Sequence, residues 1–379
     1  MSNAVHLTLL MGPIIPLPVP AMLIDALEEA QVTSSATGAS GFQLRFKINN
    51  KSELNTLFLI AVGNNTSVGT PPLRVVLIVT LEGRPQPLFD GVVTNVEVQA
   101  GQNNQPGSIT VTGEDLTKVM DLIDFSGLPY PAMPIAARVA LICAKYAAFG
   151  IIPLPIPELF LDVPIPIERI PAQQGTDLAY IRQLAEEVGH VFYIEPGEVP
   201  LTNIAYFGPE IKVGPPQPAL NIDMDAHTNV ESLNFSFDPT KGVLPIVFIQ
   251  NQMTRVPIPI PIPNLNPLQP PLGLLSTPLA NLKIMKDTAK MNAMQAIMAG
   301  LGEAKKSQDA VSANGSLDVL RYGRILKPRR LVGVRGAGIA YDGLYYVASV
   351  TSTLGRGKFS QSFSLTRNGL ISITPTVPA

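Results

Sequence analysis

The residues with the clearest chemical potential lie between positions 223 and 227, where Asp223, Asp225 and His227 alternate with apolar residues. On a β-strand these three side chains would share one face, an arrangement that suits a metal ion. Protein sites of this kind usually include a further histidine or cysteine. The whole chain has three histidines and one cysteine. We therefore interpret the trio as an exposed polar edge and predict no metal site.

Three further patterns have both a catalytic and a simpler interpretation. Glu186 and Glu187 are adjacent in a helical pattern, so they cannot face each other as an acid–base pair. The glycine-rich run 333–338 lies between strand patterns with no helix after it, which disfavours phosphate binding. Cys143 lies in an apolar helical pattern and is interpreted as a small core residue. The nucleophile elbow, the P-loop lysine and the HExxH motif are absent from the sequence. We predict that the protein is not an enzyme and needs no cofactor.

The composition indicates a globular component of a larger assembly. A chain of 379 residues exceeds what one core usually serves, so two or three domains are expected. Charged residues make up 15%, below the usual quarter, and the 37 prolines are about twice the usual share. Such a surface suits contact with neighbouring proteins better than contact with water. The net charge of −2 gives no basic footprint for nucleic acid, so no specific nucleic-acid partner is expected.

The first 45 residues predict neither a secretion signal nor a membrane span. There is no lysine or arginine before Arg45, and four prolines interrupt the apolar run between positions 13 and 20. We expect a protein that is made and folded in the cytoplasm.

Hydrophobic patterning divides the chain into three predicted domains. Residues 1–125 form a β-domain, because apolar and polar residues alternate over 42–48 and a nearly continuous apolar run covers 73–81. Residues 126–215 form an α+β middle domain. Residues 216–379 form a second β-domain. The predicted fold class is mainly β, with two small β-barrels that flank a middle domain containing helices.

The middle domain contains the most informative segment, residues 173–194, which predicts a short amphipathic helix followed by a strand. Its apolar residues recur at helical spacing and would bury one stripe of the helix. They are Leu178, Ile181, Leu184, Ala185 and Val188. Gly189 lies where a helix usually ends in the left-handed conformation.

The last domain contains a proline-rich arm at residues 256–271 and a helix at roughly 279–309. Prolines at every second position cannot donate to a sheet, so we expect the arm to leave the sheet as an extended segment. It would lie against a neighbouring subunit or, alternatively, pack on its own domain. A stripe of Met291, Met294, Met298 and Leu301 is predicted to pack in the core rather than bind a cofactor.

One internal repeat is suggested by the triplets Phe89-Asp90-Gly91 and Tyr341-Asp342-Gly343. Each opens a valine-containing strand that is followed by a loop and a second strand. Turn chemistry alone also produces such pairs, so duplication and coincidence both remain open on these residues.

Residues 173–194 resemble the central segment of the tail-hub family, which includes phage late control protein D and the hub part of valine-glycine repeat spike proteins. Its marker is the pattern TDLxFIxxLxEExGxxFY. The residues that match it and enter our motif set are Thr176, Asp177, Leu178, Ile181, Leu184, Glu187, Gly189, Phe192 and Tyr193. Residues 323–368 are similar to the last segment of the same family, with Asp342, Gly343, Arg367 and Asn368 completing the set. Thr351 and Ser352 stand near a histidine that is frequent in the family, so that residue is absent.

The resemblance implies a structural hub ring of a phage tail baseplate or a contractile injection system. It implies two related barrels per chain and a homotrimer that joins a six-fold inner tube to a three-fold central spike. No lysozyme-like segment and no long β-helical repeat follows the second barrel, so we expect the spike to be a separate protein. Baseplate or wedge proteins would be further partners, and the lumen of the ring would have room for effector cargo. The sequence leaves open whether the particle is a phage or an injection system, and which residues contact tube or spike.

Two other functions fit the sequence less well. A secreted β-rich module that binds carbohydrate or a cell surface would expose aromatic platforms, whereas this chain has no tryptophan and 6% aromatic residues. A peptidoglycan hydrolase of the tail tip would need an acid, a nucleophile or a metal set that the sequence does not offer.

Overall fold

The chain forms two compact units that are mainly β-sheet. The first unit comprises Met1–Ile181, Phe192–Phe207 and Thr351–Ser360, and the second comprises Arg182–Val191, Gly208–Val350 and Gln361–Ala379. About half of the residues that the structure describes lie in strands and a much smaller share in helices, which confirms the predicted mainly β class. The three-domain division at residues 125 and 215 stays a prediction. A computed structural model describes residues 5–48, 72–99, 106–157, 167, 170–250, 256–262, 269–276, 281–285, 293–306 and 309–374.

The first unit contains an antiparallel sheet in the order β3-β4-β7-β6-β5-β1-β2. Its strands and the short helix before β3 are β1 (His6–Gly12), β2 (Leu17–Pro18), α1 (Ala21–Ala26), β3 (Leu27–Ser35), β4 (Gly41–Ile48), β5 (Arg74–Leu81), β6 (Arg84–Gln99) and β7 (Gly107–Asp115). The predicted alternation over 42–48 is confirmed, since Phe42, Leu44 and Phe46 are buried and the residues between them are exposed.

A smaller sheet, in the order β8-β10-β9, completes the first unit. Its strands and the accompanying helices are a 3₁₀ turn at Leu116–Asp121, α2 (Ile135–Ala144), a 3₁₀ turn at Ala147–Phe149, β8 (Ile151–Pro155), α3 (Asp177–Val188), β9 (Val191–Pro196) and β10 (Asn203–Gly208). The division between the units falls within α3, after Ile181. The predicted stripe of α3 is confirmed, with Leu178, Ile181 and Leu184 buried. Gly189 ends this helix with φ 68°, as expected for a left-handed stop.

The second unit contains a sheet in the order β12-β17-β20-β19-β18-β11 and a separate sheet in the order β14-β13-β16. Its elements are β11 (Gln217–Asn221), a 3₁₀ turn at Asp225–His227, β12 (Ser232–Phe237), β13 (Val243–Gln250), β14 (Pro257–Pro261), β15 (Gly273–Ser276), β16 (Asn281–Ile284), α4 (Ala293–Lys306), β17 (Val311–Asp318), α5 (Val319–Tyr322), β18 (Leu331–Arg335), β19 (Gly343–Gly355), β20 (Lys358–Arg367) and β21 (Gly369–Ser372). None of the described helices has the length and hydropathy that crossing a membrane requires.

The two units repeat one strand order. When the six strands β1, β3, β4, β5, β6 and β7 of the first unit are ranked along the chain, their spatial order is 2-3-6-5-4-1. The six strands β11, β12, β17, β18, β19 and β20 give the same ranking. One pairing differs, because β1 is antiparallel to β5 whereas β11 is parallel to β18. A shared order of six strands is strong support for the suggested duplication, since turn chemistry acts only between neighbouring strands.

The sheets are open where closed barrels were expected. Among the described strands, neither unit pairs its first and last strands into a barrel. In the first unit β1 is paired with β2 on its outer side. β3 is the neighbour of β19, whose residues from Thr351 onwards belong to this unit. β1 and β3 would have to pair with each other to close a barrel, and each already has another strand on that side.

The prediction that the proline-rich arm leaves the sheet is wrong for Pro257–Pro261, which form the edge strand β14. β14 is antiparallel to β13, with Val247 opposite Ile260 and Ile249 opposite Ile258. An edge strand donates to its neighbour only from alternate residues, and here those residues are isoleucines while the prolines face away from β13. Ile262 continues the pattern, because its amide donates to the carbonyl of Pro245 at 2.9 Å. The remainder of the arm includes residues 263–268, which lie outside the described residues.

Two other edge strands use proline in the same way. In β2, the amide of Val19 donates to Leu9, which places the nitrogen of Pro18 on the outer side. In β8, the amide of Ile156 donates to Phe207, so Pro153 and Pro155 face outwards. A nitrogen without a hydrogen cannot pair with a strand of another molecule. Part of the high proline content therefore protects sheet edges.

The predicted helix at 279–309 is confirmed only over Ala293–Lys306, because Asn281–Ile284 form the strand β16, parallel to β13. α4 packs on the sheet through Ala296, which forms a buried cluster with Val247 and Ile262. A side chain at Gly300 would come within 2.9 Å of Val247 and Ile262, so the helix approaches the sheet closely. In the predicted methionine stripe, Leu301 packs against this cluster. Met291 lies outside the described residues, and the side chains of Met294 and Met298 are likewise not described.

We expect Ile260→Pro to destabilise the second unit, because it removes an amide that faces β13, whereas a proline at an outward position removes none. The lost hydrogen bond should lower the free energy of unfolding by on the order of 2 kcal/mol. Chemical denaturation followed by circular dichroism measures this loss. The matched control is Pro259→Ala, because the nitrogen of Pro259 faces away from β13 and the substitution removes no hydrogen bond of the sheet. Equal stability of both variants would contradict the assigned register.

Candidate functional site

The first group of motif residues fixes the start of α3. The hydroxyl of Thr176 accepts a hydrogen bond from the amide of Ala179 at 3.2 Å, as a helix N-cap does. The same hydroxyl donates to Asp121 Oδ1 at 2.8 Å. Thr176 thus ties the helix to the 3₁₀ turn that follows β7.

Asp177 is the centre of a buried polar cluster in the first unit. It is fully buried and accepts hydrogen bonds from Lys145 Nζ at 2.8 Å, from Tyr146 OH at 2.7 Å and from Gln173 Nε2 at 2.8 Å. A buried carboxylate is tolerated when it is paired and hydrogen-bonded in this way. Burial and the bond to Asp177 raise the pKa of Tyr146, so the phenol remains a donor at physiological pH.

A second layer of aromatic and polar groups surrounds the carboxylate. Tyr130 donates to Gln173 Oε1 at 2.7 Å and stacks on Tyr180 with 5.8 Å between the ring centroids. Arg138 donates to the hydroxyl of Tyr180 at 2.9 Å. Burial raises the pKa of the Cys143 thiol to about 12, so this cysteine is not a reactive nucleophile. The cluster holds α2, α3 and the chain before α3 together and has the character of a structural network.

The remaining motif residues of the segment shape the turn from α3 into β9. The amide of His190 donates to Ala185 at 2.8 Å beyond the left-handed Gly189, which closes the helix end. Tyr193 stacks on Tyr206 of β10 at 5.1 Å. Glu187 and Phe192 are half-buried.

The second group of motif residues forms a buried hydrogen-bonded cluster around Arg367 in the second unit. Its guanidinium is fully buried and donates to the backbone carbonyls of Ala340 at 2.7 Å, Asp342 at 2.8 Å and Gly369 at 2.7 Å. It also lies 4.5 Å from the ring centroid of Tyr345. Burial lowers the pKa of Arg367 from its usual value. The arginine therefore fixes the loop before β19 through its backbone.

The other three residues of this group lie in the same cluster. Asp342 accepts a hydrogen bond from the amide of Ala337 at 2.7 Å. Gly343 has φ 128°, and a Cβ there would come within 2.5 Å of Ser372, so the position requires glycine. Asn368 accepts from the amide of Leu272 at 2.8 Å and thereby anchors the chain that leads into β15.

Sequence reasoning missed a third buried cluster, built on Arg74 and Asp90. Arg74 Nε and Nη2 contact the two carboxylate oxygens of Asp90 at 2.8 and 2.6 Å, and both residues are buried. The arginine also donates to the carbonyls of Ile14 and Phe149, and Asn203 donates to Asp90 at 2.8 Å. The available signal was a charged residue at the start of an otherwise apolar strand, since such a residue needs a partner when it is buried.

The candidate metal trio does not lie on a strand. Asp225 and His227 belong to an exposed 3₁₀ turn, and Asp223 and Asp225 have positive φ of 51° and 48°. The three side chains therefore do not share a strand face. Within the residues that the structure describes, no group of three histidine, cysteine or acidic residues is arranged to hold a metal ion.

The fold is that of phage tail proteins. A tail protein from Neisseria meningitidis MC58 superposes with a TM-score of 0.61 at 12% identity, over 97% of this chain and 98% of that chain. The 43 kDa tail protein of prophage MuSo2 from Shewanella oneidensis gives 0.59 at 13% identity, over 96% and 98%. A chain of the lidded PdpA–VgrG complex of Francisella gives 0.59 at 9% identity, over 100% of this chain and 55% of that chain.

At these identities the comparisons establish the fold alone, which this chain shares with tail proteins and with a chain of the PdpA–VgrG complex. No family model and no curated protein matches the sequence. Membership in the late control protein D family stays a prediction.

Proposed function

We propose that this protein is the hub ring of a contractile tail or injection-system baseplate, with three copies in the ring. The observation that carries the proposal is the repeated strand order of the two units. Three chains with two such units each present six similar sheets, which suits a ring between a six-fold tube and a three-fold spike. The fold shared with tail proteins over nearly their whole length supports a structural role in a tail.

The proposed partners follow from that position. The inner tube protein would bind one end of the ring, a separate spike protein the other, and baseplate or wedge proteins the periphery. The likeness to a chain of the PdpA–VgrG complex supports a place next to the spike. Effector cargo in the lumen is a further proposal, as is assembly in the bacterial cytoplasm before incorporation into the particle.

A non-enzymatic role is part of the same proposal. The buried clusters of Asp177, Arg74 and Arg367 have their charged groups bound mainly to backbone and to neighbouring side chains, which is an arrangement for fixing structure. The Cys143 thiol is kept protonated, and the exposed trio around His227 sits in a turn. None of these described groups forms an acid–base or nucleophile–base pair.

We expect the purified chain to have three times its 40.5 kDa mass under native conditions. Native mass spectrometry should detect the trimer and its complex with the tube protein encoded beside it. A chain that stays monomeric and binds neither tube nor spike protein would contradict the proposed function. Neighbouring genes for sheath, tube and ATPase without capsid genes would identify an injection system.

A further inference from the structure

Two strands of the antiparallel sheets each have one side that no described strand covers. β12 pairs with β17 and with no other described strand. β6 pairs with β5 only as far as Val92, and from Asn95 to Gln99 it pairs with β7 alone. We call the uncovered side of β12 the β12 edge, and the uncovered side of Asn95–Gln99 the β6 edge.

Neither edge has the proline protection that β2, β8 and β14 have. β12 has the sequence Ser-Leu-Asn-Phe-Ser-Phe, without proline or charge. Asn95–Gln99 contains no proline and one charged residue, Glu97. A strand edge without such protection pairs readily with a strand of another molecule. The β12 edge and the β6 edge are therefore suited to strand pairing, whereas the proline edges prevent it.

The backbone of β12 shows which of its groups are free for a further strand. Asp238 lies just after β12, and its amide donates to Ala310 at 2.9 Å. Because the hydrogen-bonding direction alternates along a strand, the even-numbered residues of β12 face β17 and the odd-numbered residues face outwards. The outward residues are Leu233, Phe235 and Phe237. An antiparallel strand added here would form up to about six backbone hydrogen bonds, compared with about ten hydrogen bonds in a typical protein interface.

The counterparts of these two edges are paired with each other in this chain. In the repeated strand order, β3 corresponds to β12, because both are second along the chain, and β19 corresponds to β6, because both are fifth. β3 pairs with β19, whose residues from Thr351 onwards belong to the first unit. Within this contact the hydroxyls of Thr33 and Thr351 are 3.1 Å apart, and Arg356 donates to the carbonyl of Asp25 at 2.6 Å.

Burial distinguishes the end of β19 from the end of β6. In β19, Ser352 and Leu354 are only 3% and 6% exposed. In β6, four of the five residues of Asn95–Gln99 are exposed, and Val98 is 46% exposed. Among the described residues, the β6 edge thus lacks the neighbour that its counterpart in β19 has.

The side chains beside the two edges are compatible with each other. β12 exposes Ser232, Asn234 and Ser236, and the end of β6 exposes Asn95 and Glu97. Small polar groups of this kind form hydrogen bonds across a strand pair, as the two threonine hydroxyls do between β3 and β19. Because Glu97 is the only charged residue of the two segments, their pairing brings no like charges together.

We propose that the β6 edge of one copy of this chain pairs with the β12 edge of a second copy. The pairing of β3 with β19 selects this partner, because every copy carries the corresponding two edges uncovered. The inference rests on the proposed ring and names the strands that join its subunits. The two edges differ, so the contact is head-to-tail, and such contacts close into a ring when the rotation between copies allows it. A ring of three chains then has three such strand pairs within chains and three between chains.

The test places like charges across the proposed contact. In Asn234→Glu/Ser236→Glu, two exposed residues of β12 become acidic and would face Glu97 of the next copy. The melting temperature should be kept, because both side chains are exposed. Like charges across an interface disfavour association, so we expect the dissociation constant of the oligomer to rise at least about tenfold in sedimentation velocity. Adding Glu97→Lys to this variant should recover most of the loss.

The matched control is Asn314→Glu/Ser362→Glu. It places the same two charges at exposed positions of the same sheet, on β17 and β20, away from the β12 edge. This variant should associate like the wild type. Equal weakening by both double variants would mean that charge on the sheet face, rather than pairing at the β12 edge, disturbs the oligomer, and would overturn the inference.

Hydrogen exchange provides a second measurement that needs no substitution. The amides of Leu233, Phe235 and Phe237 should exchange quickly in the dissociated chain and become protected in the oligomer. The amides of Asn234 and Ser236 already face β17, so they should be protected in both states. Protection confined to the outward amides supports strand pairing at the β12 edge.

The outcomes separate this inference from the proposed function. A trimer that Asn234→Glu/Ser236→Glu forms as well as the wild type, or in which the outward amides stay unprotected, overturns the inference and leaves the ring intact. Outward amides that are already protected in a monomer mean that the same chain covers β12, which also overturns it. A chain that is monomeric at every concentration overturns the contact, and it overturns the ring as well only if it binds neither tube nor spike protein.

Discussion

Asp90→Ala is expected to lower the free energy of unfolding by about 3–5 kcal/mol, because it leaves the guanidinium of Arg74 buried without its carboxylate. Asn203 loses an acceptor in the same variant. A domain is stabilised by only about 5–15 kcal/mol, so the first unit should be close to unfolded at physiological temperature. Urea denaturation followed by near-ultraviolet circular dichroism measures the loss.

The matched control breaks an ion pair at the surface of the same unit. Arg45 and Glu28 are 3.6 Å apart and partly exposed, so Glu28→Ala should change stability by less than about 1 kcal/mol. The double variant Arg74→Met/Asp90→Leu should recover much of the loss, since it removes both buried charges. A double variant as unstable as Asp90→Ala would show that the bonds from Arg74 to Ile14 and Phe149 matter more than the ion pair.

The second large effect is expected from Leu184→Asp, which should abolish folding rather than a particular activity. Leu184 is buried on the inner stripe of α3, and an unpaired carboxylate there costs several kcal/mol, on the order of the stability of a whole domain. We expect insoluble protein or a chain without a cooperative melting transition.

Gln183→Asp is the control for this substitution, because it adds the same charge to the same helix at an exposed position. It should express and melt like the wild type. If Leu184→Asp also expressed, melted normally and assembled, the assignment of the buried face of α3 would be wrong.

Local periodicity was sufficient to predict the helix and strand that surround residues 177–194. The spacing of Leu178, Ile181 and Leu184 follows directly from 3.6 residues per turn, and Gly189 supplies the stop. The same reasoning identified the strand over 42–48. These features depend only on residues that are close in sequence.

The proline-rich arm was misread because proline was treated as incompatible with strand pairing. An edge strand needs donors on one side only, so prolines at every second position can all face away from the sheet. The pattern that argued against a strand is the pattern of an edge strand. To choose between an edge strand and a segment outside the sheet, one would have to know that the strand Val243–Gln250 accepts a neighbour on that side.

The other features that the sequence did not predict depend on contacts between distant segments. β16 has only four residues, too few to show a period, and was absorbed into the helix that follows. Arg74 pairs with Asp90 on the next strand, and Asp90 accepts a hydrogen bond from Asn203 on β10. No local sequence pattern predicts the contact with Asn203. The motif residues Asp177 and Arg367 could be named from the sequence, whereas their hydrogen-bond partners and the Arg74–Asp90 pair required the fold.

The repeated strand order has a consequence for how the two halves of this chain can change over time. In a ring of six identical subunits, every substitution would appear six times and would have to suit both neighbouring layers at once. Here the first unit contains the buried ion pair of Arg74 and Asp90, whereas the second contains Arg367, which donates to backbone carbonyls. Each half can therefore acquire substitutions that the other never shares, and the two can specialise separately within a single gene.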